Sequence, residues 1–276
     1  MECNHDCSSC SSANCGERKE EKKKEGAKNV KKVIAVVSGK GGVGKSLVSA
    51  LTAAALSKDG AKVAVLDADV TGPSMGKVFG VTAKAYGNGQ MIVPAMTKGG
   101  IKLISVNMML EHEDDPVIWR GPLIGGMVQQ FWTDVDWGDV DYMVVDMPPG
   151  TGDVPLTVFQ SLNVDGIIIV TSPQELVSMI VAKAMKMAKM MDIPVLGVVE
   201  NMSYFECDGC GKRHYIYGES KAEEVCEKYG VKLLARLPIK PELAKLCDAG
   251  RIEDATCEEL KPAVEAVKSA KVRKHE

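Results

Sequence analysis

The stretch Ser38-Gly39-Lys40-Gly41-Gly42-Val43-Gly44-Lys45-Ser46 has residue types that point most directly to chemistry. From Gly39 to Ser46 it reads GxxxxGK[ST], after a β-branched apolar run and before a helical pattern, the context in which such a loop cradles phosphates. Glycines let backbone N–H groups approach phosphate oxygens, and the helix N-terminus adds positive potential. Lys45 is expected to bridge β- and γ-phosphates, and Ser46 to set its hydroxyl on Mg²⁺. The plain alternative is a glycine-rich turn that holds no nucleotide.

Two acidic positions are placed to serve that loop. Asp146 ends an apolar run, where a second carboxylate would hold the water shell of Mg²⁺; the alternative is an acid capping the next turn. Asp67 and Asp69 sit at the carboxyl end of another run, the edge where open α/β sheets bind ligands. A spacing of two puts both on one side if the strand continues, one to reach the metal shell and one to orient or deprotonate attacking water. Turn-forming aspartates before Gly72-Pro73 are the bland reading.

Cysteines form the second chemical set. Cys207 and Cys210 make a CxxC that supplies two thiolates, half of a closed four-ligand site, and a two-fold dimer would bring the other half. Spacing alone leaves zinc, with His214 as a third ligand in a knuckle over 204–217, level with an iron–sulfur cluster. Cys3, Cys7, Cys10 and Cys15 lie within thirteen residues and are sufficient for a second, intrachain site, with His5 as a substitute ligand and a zinc knot as the alternative. Cys226, Cys247 and Cys257 are scattered and read as small buried or half-buried helical residues.

Elements must position these groups. The expected strands are 33–37, 62–66, 101–106, 142–146, 166–171, 195–200 and 232–236, short apolar runs suited to a sheet covered on both faces. The expected helices are 45–58, 123–131, 154–162, 175–191, 220–229, 241–249 and 258–272. Their alternation predicts an α/β fold, a mostly parallel, doubly wound sheet flanked by helices. A glycine-rich stretch at 86–91 suggests a turn or small hairpin. Met179, Met185, Met187, Met190 and Met191 crowd one helix and read as plastic core packing.

Residues 17–32 carry eight Lys/Arg and four Glu with almost nothing apolar, so 1–32 reads as a cysteine-rich tail and charged linker, and 33–276 as one ATPase domain with a CxxC insertion at 202–217. A net charge of -3 argues against nucleic acid and anionic lipid as main partners. With no run of 18 apolar residues and no apolar signal region, a cytoplasmic location is expected, where thiols stay reduced.

The loop Gly39-Lys40-Gly41-Gly42-Val43-Gly44-Lys45-Ser46, with its extra Lys40, resembles the deviant Walker A ATPases, the MinD, ParA and nitrogenase iron protein class. Within that class, the runs 67–74, 117–122, 146–153 and 200–203 resemble the Mrp/ApbC iron–sulfur cluster carriers. The resemblance implies a MinD-like fold and a homodimeric, slow ATPase that loads [4Fe–4S] clusters from a donor and passes them to apo-proteins. It implies that Lys40 reaches the partner's nucleotide, that Asp69 assists water attack, leaving Asp67 to the Mg²⁺ shell, and that Asn201 hydrogen-bonds adenine. It also implies a [4Fe–4S] cluster bridging two copies through Cys207 and Cys210. The tail resembles the amino-terminal cluster motif of the cytosolic eukaryotic carriers, with a shorter first spacing, and so implies a second [4Fe–4S] cluster. A MinD/ParA-like positioning ATPase and a zinc-binding P-loop ATPase are the alternatives.

Overall fold

The computed structural model describes residues 27–69, 72–87, 89, 91–109, 121–173 and 177–273. The tail with Cys3, His5, Cys7, Cys10 and Cys15, and most of the 117–122 motif, lie outside the described residues.

Eight strands make the main sheet. In chain order the elements are β1 (Val33–Ser38), α1 (Lys45–Lys58), β2 (Val63–Asp67), α2 (Met75–Phe79), β3 (Tyr86–Gly87), β4 (Ile92–Val93), β5 (Ala95–Met96), β6 (Lys102–Ser105), α3 (Gly121–Thr133), β7 (Tyr142–Asp146) and α4 (Asp153–Ser161). They continue with β8 (Gly166–Thr171), α5 (Val177–Met190), β9 (Val195–Glu200), β10 (Phe205–Glu206), β11 (Arg213–His214), α6 (Ala222–Tyr229), β12 (Leu233–Arg236), α7 (Pro241–Asp248) and α8 (Lys261–Ser269). The sheet order is β12-β9-β8-β1-β7-β2-β6-β5. Every pairing is parallel except β5 on β6, an antiparallel edge that the apolar runs did not announce.

Alternation along β1 explains why both faces are covered. Val33, Ala35 and Val37 join one core with residues of α3, α4 and α5, while Ile34 and Val36 join the other with residues of α1, α2, α7 and α8. With β1 central, its loop opens between β7 and β8 at the carboxyl edge, where the strand order reverses and ligands bind in this class of sheet.

Several expectations are corrected. The charged linker ends earlier than residue 32: Ala27 is buried, Val30 bridges Val140, and Lys32 is buried with its ammonium on the carbonyls of Val267 and Lys268, so the last turn of α8 recruits a lysine from the charged run. The final helix splits into a 3-10 turn, Glu258–Leu260, and α8, because Pro262 in the first turn of α8 cannot sit inside a longer helix. The short α2 was not expected. The glycine-rich stretch does form a hairpin, β3 with β4. Of the five methionines expected to pack in the core, Met187 is buried, Met185 and Met191 are partly buried against the same core, and Met179 and Met190 face outward.

Candidate functional site

The loop between β1 and α1 is built from glycines that hold it open. Gly42 and Gly44 have φ of 80° and 81°, conformations that a side chain resists, and Gly44 caps α1. A Cβ at Gly44 would run into the amide nitrogen of Asn201, and one at Gly39 would meet Ile180 of α5 at 2.6 Å and 2.8 Å. Gly41 and Gly42 border open space, and Lys40 lies half-buried on the outer turn, its carbonyl accepting from Ser38 Oγ at 3.0 Å.

Lys45 points into a set of acids. Its Nζ stands 2.8 Å from Asp146 Oδ2 and 3.5 Å from Asp69 Oδ2, and is buried without a well-aligned hydrogen bond. An ammonium so placed is suited to turn toward phosphate oxygens. Asp146, fully buried at the end of β7, accepts from Ser46 Oγ at 2.6 Å and Ser49 Oγ at 2.7 Å. The carboxylate and hydroxyl that would hold Mg²⁺ are therefore adjacent, and the donor set fits a Mg²⁺–nucleotide pair.

Asp67 and Asp69 do different work, because β2 ends at Asp67 and the shared-side argument stops there. Asp67 Oδ1 accepts from the backbone of Asp69 at 3.2 Å, and Oδ2 from the backbones of Ser74 and Met75 at 3.1 Å and from Ser105 Oγ at 3.0 Å. It fastens the loop that carries Asp69. Burial, and then the Asp146 charge, push the Asp67 carboxyl up to about 7, against the loop and Ser105 donors that favour its ionised form.

Asn201 follows β9. Its backbone N–H donates to Thr171, and its side-chain Nδ2 donates to the Val43 carbonyl at 3.0 Å, so it clasps the phosphate loop itself.

Cys207 and Cys210 stand on a small hairpin. Phe205 and Glu206 pair with His214 and Arg213, Cys207 N–H donates to Lys212 at 3.0 Å, and Gly211 N–H closes the turn on Cys207 at 2.8 Å. Hydrogen bonds from the backbones of Gly209 and Cys210, and then from the Cys210 side chain, lower the Cys207 thiol below its usual range, as suits a metal-binding thiolate. Cys210 and His214 are exposed, and among the described residues no group of three or more His, Cys, Asp and Glu side chains, His214 included, assembles for a metal. Burial pushes Cys226 and Cys257 up to about 11 and raises Cys247 as well, marking them as inert thiols. Cys257 precedes a 3-10 turn rather than lying within a helix.

Three contributors escaped the sequence reading. Ser49 was findable, one helical turn after Lys45 on the same face. Ser105 is the register partner of Asp67, a relation that needs the sheet order. Glu200, buried at the end of β9, opens the 200–203 run, but the run by itself gives it no role.

The similarities to known proteins agree with this geometry. An iron-sulfur cluster carrier protein of Clostridium perfringens is 46% identical over 230 residues, covering 80% of this chain and 81% of the relative. One from Methanocaldococcus jannaschii is 45% identical over 216 residues, covering 78% and 74%. A solved nucleotide-binding protein from Archaeoglobus fulgidus, in complex with ADP, superposes with a TM-score of 0.78 at 43% identity, covering 86% of this chain and 94% of that one. The MinD cell division protein of Aquifex aeolicus shares the fold, with a TM-score of 0.60 at 20% identity over 86% and 95%. A match to the family described as NUBPL iron-transfer P-loop NTPase runs over residues 29–272, and the chain belongs to that family.

Proposed function

We propose that this protein is an ATP-dependent carrier that assembles [4Fe–4S] clusters and transfers them to apo-proteins. The observation that carries the reading is the Cys207–Cys210 turn: two thiols on an exposed hairpin, with backbone N–H groups aimed at one sulfur, make half of a four-thiolate site. Two copies related by a two-fold axis supply the whole, so the cluster is cargo bridging a homodimer. The names of the relatives support iron–sulfur cargo over zinc.

In this reading the other residues run a slow conformational ATPase. Lys45 leaves Asp146 for the β- and γ-phosphates, while Ser46 and Asp146 hold Mg²⁺, which neutralises phosphate charge. Asp69 orients the attacking water, Asp67 stands behind it as support for the metal side of the loop, and Asn201 contacts adenine. Lys40, on the outer turn, reaches the partner's nucleotide. The tail thiols Cys3, Cys7, Cys10 and Cys15 hold a second [4Fe–4S] cluster and exchange it with donor or client in the cytoplasm.

A positioning ATPase anchored through its last helix is disfavoured by a specific observation: Ala263, Val264 and Val267 of α8 are buried in the core and unavailable to a membrane. No helix among the described residues is long and apolar enough to cross one.

Anaerobic purification with iron, sulfide and zinc analysis tests the proposal. Cys207→Ala and Cys210→Ala are expected to lower iron and weaken the dimer while nucleotide binding persists, and truncation before Val30 to remove roughly four irons per chain. Stoichiometric zinc without iron would overturn the cluster reading.

A further inference from the structure

Glu200 is the last residue of β9 and has no exposed surface. Its two carboxylate oxygens hold the two feet of the CxxC hairpin. Oε2 accepts from Ser203 Oγ at 2.6 Å, where the chain enters the hairpin, and Oε1 accepts from Ser220 Oγ at 2.6 Å, where it leaves. Both are short O–H···O bonds. Ser220 Oγ in turn accepts from the Ala222 N–H at the start of α6, so the exit foot is also tied to a helix.

The neighbouring residue reaches the other site. Asn201 holds the Val43 carbonyl of the phosphate loop through its side chain. Between Asn201 and Ser203 there is only Met202, with φ of 56°, a left-handed conformation that a non-glycine side chain adopts at a cost and that persists only when its surroundings fix it. Ser203 N–H donates to Leu237 at 2.8 Å, and Leu237 N–H donates back to the Glu200 carbonyl at 2.8 Å. The segment 200–203 is thus braced at Glu200, Asn201 and Ser203, with Met202 the one link between them, and has little slack to absorb a shift at Asn201.

The charge on Glu200 is sparsely compensated. The Arg236 Nε lies 3.9 Å away, and the same guanidinium makes its closer contact, 2.9 Å, with Glu223. Cys226, close enough for the Glu200 charge to help raise its thiol, offers no positive charge. Burying a carboxylate held mainly by two hydroxyls is expensive for packing alone. The same arrangement suits a staple whose two arms must move together.

We infer that Glu200 is the positioning residue through which occupancy of the phosphate loop is transmitted to the Cys207–Cys210 turn, a reading that rests on nucleotide binding in the proposed function but not on the cargo. When nucleotide reshapes the loop around Val43, Asn201 shifts, and the carboxylate of Glu200 carries both feet of the hairpin as one body.

Hydrogen exchange of the amides at 204–218 tests this on the full-length, reduced, metal-free protein, with and without MgADP, with affinity measured separately by calorimetry. In the wild type, MgADP is expected to change exchange in the hairpin by ~5-fold. In Glu200→Gln and in Ser220→Ala the affinity stays within ~3-fold, but the MgADP-dependent difference disappears. A residue that merely stabilised the hairpin would raise exchange equally in both states and leave the difference intact, which would overturn the proposal. A wild-type hairpin indifferent to bound MgADP would overturn it too, while leaving the carrier function standing. Absence of MgADP binding would remove both. Ser220→Ala, at a half-buried position, keeps the test decisive if Glu200→Gln fails to fold.

Discussion

Asp67 and Asp146 stand directly opposite each other in the register of β2 and β7, both fully buried, and the Lys45 ammonium sides with Asp146 at 2.8 Å. Two carboxylates on adjacent strand ends, with one close cation, set the electrostatics of the site.

The first consequence is a pH dependence. Asp67 is raised from 3.8 to about 7 in the folded state, so that state binds its proton more tightly than the unfolded chain does. The stability this contributes is present below the unfolded value and is lost as pH rises toward the folded one. Denaturation of nucleotide-free protein from about pH 5 to about pH 8 is expected to show a falling stability, about 3 kcal/mol from this group. Asp67→Asn should flatten that slope whatever it does to the absolute value; an unaltered slope would assign the titration elsewhere.

Lys45 is the counter-charge of the empty loop as well as the phosphate ligand. Lys45→Ala should abolish MgADP binding in calorimetry, and should also destabilise the nucleotide-free fold by about 3 kcal/mol, because a buried carboxylate loses its partner. Loss of binding with an unchanged melting temperature would show that the ion pair contributes nothing to the resting state.

Gly44 tests the clasp from Asn201. Gly44→Ala places a methyl group against the Asn201 amide and strains a backbone at φ of 81°. Nucleotide affinity is expected to fall at least ~10-fold, with stability reduced by about 1–3 kcal/mol. Asn201→Ala in the same chain should recover part of the stability by vacating the space, and no recovery would locate the strain in the backbone alone.

Asp69 and Lys40 separate binding from turnover. Asp69→Asn should bind MgATP as the wild type does and hydrolyse it ~100-fold or more slowly, the scale of a lost general base. Lys40→Ala should retain nucleotide in the monomer and lose hydrolysis in the steady state. A wild-type rate in either variant would sink that residue's assignment.

Much of the chemistry was legible because it is local. The sequence of residues 33–58 dictates an apolar strand, a glycine loop and a helix whose observed bounds, Lys45–Lys58, are those its pattern implies. The CxxC turn likewise needs only its own few residues and a two-strand hairpin to present its sulfurs. Strands Tyr142–Asp146, Gly166–Thr171 and Val195–Glu200 were equally readable, since a short, continuously apolar run between helical segments has few other uses in an α/β chain.

Tertiary structure decided the rest, wherever a group's partner lies far along the chain. Asp67 and Asp69 looked alike in sequence; one is committed to Ser74, Met75 and Ser105 and the other leans toward Lys45, because β2 stops at Asp67 and β6 brings Ser105 beside it. The buried or exposed fate of each methionine on α5 depended on which stripe met the sheet, and the antiparallel edge β5 on pairing with β6. Residue types and spacing determined which groups do the chemistry. Strand order and register, set by burial of both sheet faces at once, decided which of those groups touch: no local pattern records that Asn201 grips Val43, or that Glu200 joins Ser203 to Ser220.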